Sequence, residues 1–312
     1  MIEMDLIKEI ERLKQEHQSV ILAHNYQPPE IQDIADFTGD SLGLSIQASR
    51  TDAQTVVFCG VYFMAETAKI LSPTKTVIIP EREAGCPMAD MITVEQLREM
   101  KRRYPGARVL SYVNTTADIK AESDVCCTSA NAVEILNNMF DEDEQVLFVP
   151  DKYLAAYAAA CSNRKVIPWR GYCPSHARIL PEDIVRRKQE HPDAKVLAHP
   201  ECNGNVLALA DEVLSTSGML RYARDSETQD FIIATEAGML YPLKKENPNK
   251  NFYPASDLAV CHNMKKVTLQ KLYLALKDEG PTVTLPGETI RRAQKSLTAM
   301  VGQTNLTSPV FT

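Results

Sequence analysis

The chain has 312 residues, and at about 150 residues per domain the length alone predicts two domains. Its 34 Lys+Arg against 41 Asp+Glu leave a net charge of −7, which argues against a sequence-independent nucleic-acid binder, since such a protein needs a basic face for phosphates. The 44% hydrophobic and 24% charged content is that of a globular protein, no apolar run reaches the roughly 20 residues that span a bilayer, and MIEMDLIKEIERLKQ lacks the apolar stretch of a secretory signal, so the expected location is the cytosol.

In chain order, residues 4–18 read as an amphipathic helix leading into a strand over Val20–Ala23. Residues 29–50 place Ile31, Ile34, Ala35 and Leu42 at roughly helical spacing. Thr55–Cys59 and Thr76–Pro80 read as two more strands, with GVYFMAETAKIL between them as a helix. Next comes TVEQLREMKRRYPG, a helix with Thr93 as N-cap and a Pro-Gly stop. The segment PEDIVRRKQEHPD repeats that pattern further on. The strands are continuous apolar runs, as in parallel sheets covered on both faces.

The same order recurs at a period of 87–88 residues. VILAHNY at 20–26 aligns with RVLSYVN at 108–114 and KVLAHPE at 195–201, bringing His24, Tyr112 and His199 into correspondence. Seventeen residues after these lie Ser41, Ser129 and Thr216, all hydroxyl residues. A third set is Cys86, Cys173 and Cys261, each following a strand-like run and a proline. The period exceeds that of small solenoids, so each unit reads as a domain. The expected fold is α/β, with three homologous three-layer αβα domains, each β-α-β-α-β-α, around a pseudo-threefold axis. The domains would cover residues 18–105, 106–192 and 193–280, with 1–17 and 281–312 as flanking segments packed on the repeats. The length-based expectation of two domains thus becomes three.

In open α/β sheets ligands bind beyond the carboxyl ends of the strands. Three such units would therefore bring the three cysteines to one point. Thiolates select soft metals, so zinc and iron–sulfur clusters are the candidates, and three ligands leave one position open for catalysis. Three equivalent core cysteines are the plain alternative. Cys59, Cys126, Cys127, Cys161 and Cys202 lie off this register. No CxxC pair occurs, which excludes a zinc ribbon or a thioredoxin motif. Ser41, Ser129 and Thr216 suit substrate carboxylates or phosphate at helix starts.

The motifs HNYQ at 24–27, GDS at 39–41, CPMAD at 86–90 and YVN at 112–114 are followed by four more. These are CTSANA at 127–132, HPEC at 199–202, STSGM at 215–219 and CHNMK at 261–265. Together they resemble the quinolinate synthase (NadA) family over essentially the whole chain. The resemblance implies a transferase of NAD biosynthesis that condenses iminoaspartate (iminosuccinate) with dihydroxyacetone phosphate. Quinolinate, phosphate and water would be the products. It implies a [4Fe–4S] cluster on Cys86, Cys173 and Cys261, with one open iron as a Lewis acid. Some members of that family carry CxxCxxC at the third position, where this chain has Cys261 alone.

The resemblance further implies substrate binding by His24, Ser41, Tyr112, Val113, Asn114, Ser129, His199, Pro200, Glu201 and Thr216. Tyr26, Tyr112 and Glu201 are the candidate acid–base groups. Met64, Glu236 and His176 are further pocket candidates, Met64 reading better as core. An aspartate oxidase or dehydrogenase is implied as the source of iminoaspartate. Two other readings compete: a zinc hydrolase or lyase with three thiolates, and an iron–sulfur carrier or redox sensor. The hydroxyl and imidazole sets argue against the carrier, which needs no small-molecule pocket.

Overall fold

The structure is a computed structural model and describes residues 3–303. The first unit runs α1 (Glu3–Glu16), β1 (Ser19–His24), α2 (Pro29–Ile34), β2 (Phe37–Gly39), α3 (Ser41–Arg50), β3 (Thr55–Cys59), α4 (Tyr62–Leu71) and β4 (Thr76–Ile78). The second runs α5 (Val94–Arg103), β5 (Arg108–Tyr112), α6 (Ala117–Ala121), β6 (Val125–Cys127), α7 (Ala132–Met139), β7 (Gln145–Val149), α8 (Lys152–Ser162) and β8 (Lys165–Pro168). The third runs α9 (Pro181–Glu190), β9 (Lys195–Ala198), α10 (Gly204–Leu207), β10 (Glu212–Val213), α11 (Thr216–Asp225), β11 (Asp230–Ala234), α12 (Leu240–Glu246) and β12 (Asn251–Pro254). Two helices follow, α13 (Leu269–Lys277) and α14 (Gly287–Gln303).

The strands form three four-stranded sheets with one order: β2-β1-β3-β4, β6-β5-β7-β8 and β10-β9-β11-β12. Every strand pairing within these sheets is parallel. The fold is thus α/β, with three sheets of identical topology.

The pattern of three strands per unit misses one. Residues 29–50 split into α2, the edge strand β2 and α3, instead of one helical stretch. Phe37 and Thr38 of β2 are exposed, and three residues are too few to show a period. A side chain fastens this edge. The Asp36 carboxylate accepts the Ile21 N–H at 2.8 Å, Asp124 accepts that of Val109 at 2.7 Å, and Asp211 that of Val196 at 2.7 Å. These aspartates share the 87–88-residue register.

Alternate strand residues point to opposite faces, and both faces are buried. Val20, Leu22, Val56 and Phe58 of the first sheet, Leu110, Val146 and Phe148 of the second, and Leu197, Phe231 and Ile233 of the third share one apolar cluster. The other faces have separate cores. Ile21, Ala23 and Val57 pack with Ile10 of α1 and Leu272 of α13. Val109 and Leu147 pack with Leu97 of α5, and Val196 and Ile232 with Ile184 of α9. The helix preceding each first strand therefore covers the sheet that follows it. Thr93 caps α5 in a capping box with Gln96. No helix among the described residues is long and apolar enough to cross a membrane.

Candidate active site

Each first strand ends in a tight turn that points side chains past the sheet. At the end of β1, His24 Nδ1 accepts the Tyr26 N–H at 3.1 Å. Beyond β9, His199 Nδ1 accepts the Glu201 N–H at 3.3 Å. Burial pushes both imidazoles down to about 3, so they are neutral near pH 7. A neutral ring whose Nδ1 accepts must carry its proton on Nε2, as the hydrogen-bond partners assign it. Both histidines are therefore N–H donors at Nε2, and that of His199 lies 3.2 Å from Ser129 Oγ.

Ser41 and Thr216 are the first residues of α3 and α11. Capping falls to the residues before them: Asp40 accepts the Gly43 N–H at 2.8 Å, and Ser215 accepts the Gly218 N–H at 3.2 Å. Ser129 sits in the turn before α7. The Thr216 hydroxyl also accepts from Asn25 Nδ2 at 3.0 Å. Each cysteine of the triplet precedes by three residues a short 3₁₀ turn, starting at Ala89, His176 and Met264.

These segments line a cavity with about 70 Å³ of space open to water. Cys86, Cys173 and Cys261 line it, with His24, Tyr26, Ser41, Tyr112, Asn114, Ser129, His199, Glu201 and Thr216. Met64, Glu236 and His176 line it as well, and Met64 also belongs to the central apolar cluster. Val113 and Pro200 are not among the lining residues. Val113 is buried in the central cluster, and its N–H is taken by the Cys127 carbonyl at 2.9 Å. Asp40, Thr128 and Ser175 line the cavity without having been singled out from the sequence. Asp40 and Thr128 stand one residue before Ser41 and Ser129, so the repeat register carried the signal for them.

Glu201 is the hub of the polar wall. Its Oε1 accepts the Tyr112 hydroxyl at 2.6 Å and Asn114 Nδ2 at 3.5 Å, and its Oε2 lies 2.8 Å from His176 Nδ1. Burial opposes its charge, but the His176 ring and the Tyr112 hydroxyl outweigh that and hold the carboxyl below the usual range. His176 Nε2 lies 2.8 Å from Thr235 Oγ1, which is 2.6 Å from the Tyr26 hydroxyl. With Nδ1–H directed at Glu201, Nε2 accepts from Thr235, and Thr235 accepts from Tyr26. Burial pushes both phenols well above the usual tyrosine value, and the Glu201 charge adds to it. Among the described residues Asn114 Oδ1 is buried without a hydrogen-bond partner.

The thiols differ from ordinary core cysteines in their company. Burial pushes Cys86 up to about 12 and raises Cys173 and Cys261. A cation is what would ionise three such neighbouring thiols. One tight group of ligand atoms exists among the described residues: Cys173, His176 and Glu201, within 4.8 Å of one another. The three cysteine sulfurs form no group that close. A single zinc ion, with Zn–S of about 2.3 Å, would need them closer; a multi-iron group would not.

Three α/β units that meet at one buried cavity, walled by thiols, neutral imidazoles and phenols, define a three-repeat α/β protein with a small-molecule site. The comparisons place it further. The family model for "Quinolinate synthetase A protein" matches residues 8–302. A quinolinate synthase of Dehalococcoides mccartyi strain 195 is 55% identical over 292 residues, 94% of this chain and 96% of that protein. Quinolinate synthase 1 of Methanosarcina acetivorans is 53% identical over 301 residues, 96% and 98% of the two chains. A quinolinate synthase of Geotalea uraniireducens is 50% identical over 301 residues, again 96% and 98%. The chain belongs to the quinolinate synthetase A family.

Proposed function

We propose that this chain condenses iminoaspartate with dihydroxyacetone phosphate, releasing quinolinate, one phosphate and two waters. The observation that carries the reading is the meeting of Cys86, Cys173 and Cys261 with the Glu201 network on one cavity, in a chain of this family. The three cysteines would hold a [4Fe–4S] cluster, which when bound supplies an iron open to a substrate oxygen as a Lewis acid. That the three sulfurs do not fall within 4.8 Å of one another favours this over the single-zinc alternative.

The chain's own groups supply the rest. The Nε2–H of His24 and of His199 and the hydroxyls of Ser41, Ser129 and Thr216 bind carboxylate and phosphate oxygens without a buried cation. The Asn114 Oδ1 accepts from the substrate nitrogen. Proton removal from iminoaspartate converts imine to enamine, whose carbon attacks the triose as phosphate leaves. Its amine then closes on the carbonyl, and two dehydrations complete the ring. Tyr26 and Tyr112, kept protonated by burial, give protons to departing oxygens. Glu201 takes protons, held in place by the Nδ1–H of His176. Burial keeps bulk water from the unstable imine. Val113 and Pro200 would serve only by shaping the turns that carry Asn114 and Glu201. We further propose the cytosol as its location and an aspartate oxidase or dehydrogenase as the source of iminoaspartate.

The test is anaerobic turnover of the two substrates, read by ring absorbance, on protein assayed for iron and sulfide. About four of each per chain are expected, and Cys173→Ala should lose both metal and turnover. Stoichiometric zinc without sulfide, or full activity in Cys173→Ala, would overturn the reading.

A further inference from the structure

Glu236 is fully enclosed and lies two residues beyond β11, at the cavity wall. Its Oε2 accepts the Gly238 N–H at 2.8 Å, and its Oε1 accepts the Cys261 N–H at 3.0 Å. Lys265 Nζ sits 3.1 Å from Oε1 and 3.2 Å from Oε2. The same ammonium donates to the main-chain carbonyl of Tyr26. One ion pair, with Glu236 buried and Lys265 half-buried, thus ties the Cys261 loop to the turn that presents Tyr26. The space is closed to anything larger: a Cβ at Gly238 would stand 2.6 Å from Lys265 Nζ and 2.9 Å from the Tyr26 carbonyl oxygen.

The second unit repeats half of this device. Asp151, two residues beyond β7, accepts the Tyr153 and Leu154 N–H groups at 2.8 Å with one carboxylate oxygen and makes no comparable bond to the Cys173 loop among the described residues. The first unit has Val61 at that place, and no lysine bonds Asp151 among the described residues. The link to a tyrosine turn is made by the third unit, whose lysine reaches across to the first-unit turn that carries the proposed acid Tyr26. Charge-assisted bonds inside a protein hold their partners more firmly than neutral ones.

We propose that the Glu236–Lys265 pair is a positioning device that fixes the Tyr26 turn relative to the Cys261 loop. It rests on the reading of Tyr26 as an acid and Cys261 as a cluster ligand. Neither Glu236 nor Lys265 transfers a proton in this scheme. Lys265 holds the Tyr26 carbonyl, and Glu236 holds Lys265 and the cysteine loop together.

The experiment compares Lys265→Met and Glu236→Gln with the unsubstituted chain, all anaerobically reconstituted. Amide exchange of residues 24–27 and 261–265, iron and sulfide content, kcat and KM are measured. In Lys265→Met, exchange over 24–27 should quicken about tenfold and kcat fall about tenfold, with KM within about twofold and iron unchanged. In Glu236→Gln, exchange should quicken in both segments. Unchanged exchange over 24–27, unchanged kcat, or loss of iron in Lys265→Met would overturn the proposal. Should Lys265→Met not fold, Glu236→Gln decides, and quickening confined to 261–265 overturns it. If the unsubstituted chain holds no iron and sulfide, the functional reading fails by itself. The difference in exchange over 24–27 between Lys265→Met and that protein still tests the positioning device.

Discussion

Glu201 keeps its charge in a closed site because Tyr112, Asn114 and His176 all direct hydrogens at it. Glu201→Gln keeps the shape but turns one acceptor into a donor facing Tyr112 or His176. Its kcat should fall by roughly 10²–10⁴-fold, the usual worth of a general acid–base group, while iron content holds. The anaerobic assay beside an iron determination checks this. His24 and His199 make a separate statement about pH. They stay neutral down to about 3 in the folded chain and titrate near 6.5 when unfolded. Between those values the unfolded chain binds more protons, so stability is lost as pH falls below about 6.5. Each ring contributes up to about 1.4 kcal/mol per pH unit. Urea midpoints of the metal-free protein from pH 7 to 5 should drop, and His199→Gln should flatten the slope whatever its effect at pH 7. An unchanged slope would show that His199 is not held neutral.

At the scale of elements, short pieces depend on single contacts. The strands β2, β6 and β10 have two or three residues each, and an aspartate bond to the neighbouring strand lies beside each of them. Their shortness is why periodicity overlooked them, although the equal spacing of Asp36, Asp124 and Asp211 was legible. The cysteine loops depend on close backbone approach. A Cβ at Gly171 would stand 2.4 Å from the Pro150 carbonyl oxygen, two residues before Cys173. Gly171→Ala should therefore cost about 1–3 kcal/mol, as overpacking does, and should lower iron content by displacing the Cys173 loop. Denaturation of the metal-free chain and iron analysis of the reconstituted one measure the two effects separately.

For the whole molecule, the inner faces of three sheets share one apolar cluster, and α14 adds Ala293, Leu297 and Met300 to it. A unit that left would strip the other two of buried area, at roughly 25 cal/mol per Å². The chain should therefore unfold in urea as one transition. Trp169 lies against the outer core of the second sheet and reports on that unit alone. Its fluorescence and the far-ultraviolet circular dichroism should trace coincident curves. Separate midpoints would mean that the units fold independently. Leu297→Ala, at a fully buried site, should lower the shared midpoint by about 2–5 kcal/mol of stability.

The chain alone determined the threefold register, because duplicated units keep their spacing. His24, Tyr112 and His199, the three hydroxyl residues and the three cysteines can all be counted off without coordinates. Parallel sheets followed from apolar runs with no polar alternation. The tertiary structure decided what the register could not express. Thr235 and His176, 59 positions apart, join Tyr26 to Glu201, and Lys265 reaches across 239 positions to the Tyr26 carbonyl. It also turned Val113 into the core, since the strand turn at that position spends its N–H on Cys127. Repeats record what each unit has in common, whereas a site between units is made of their differences, and those meet only when the units pack.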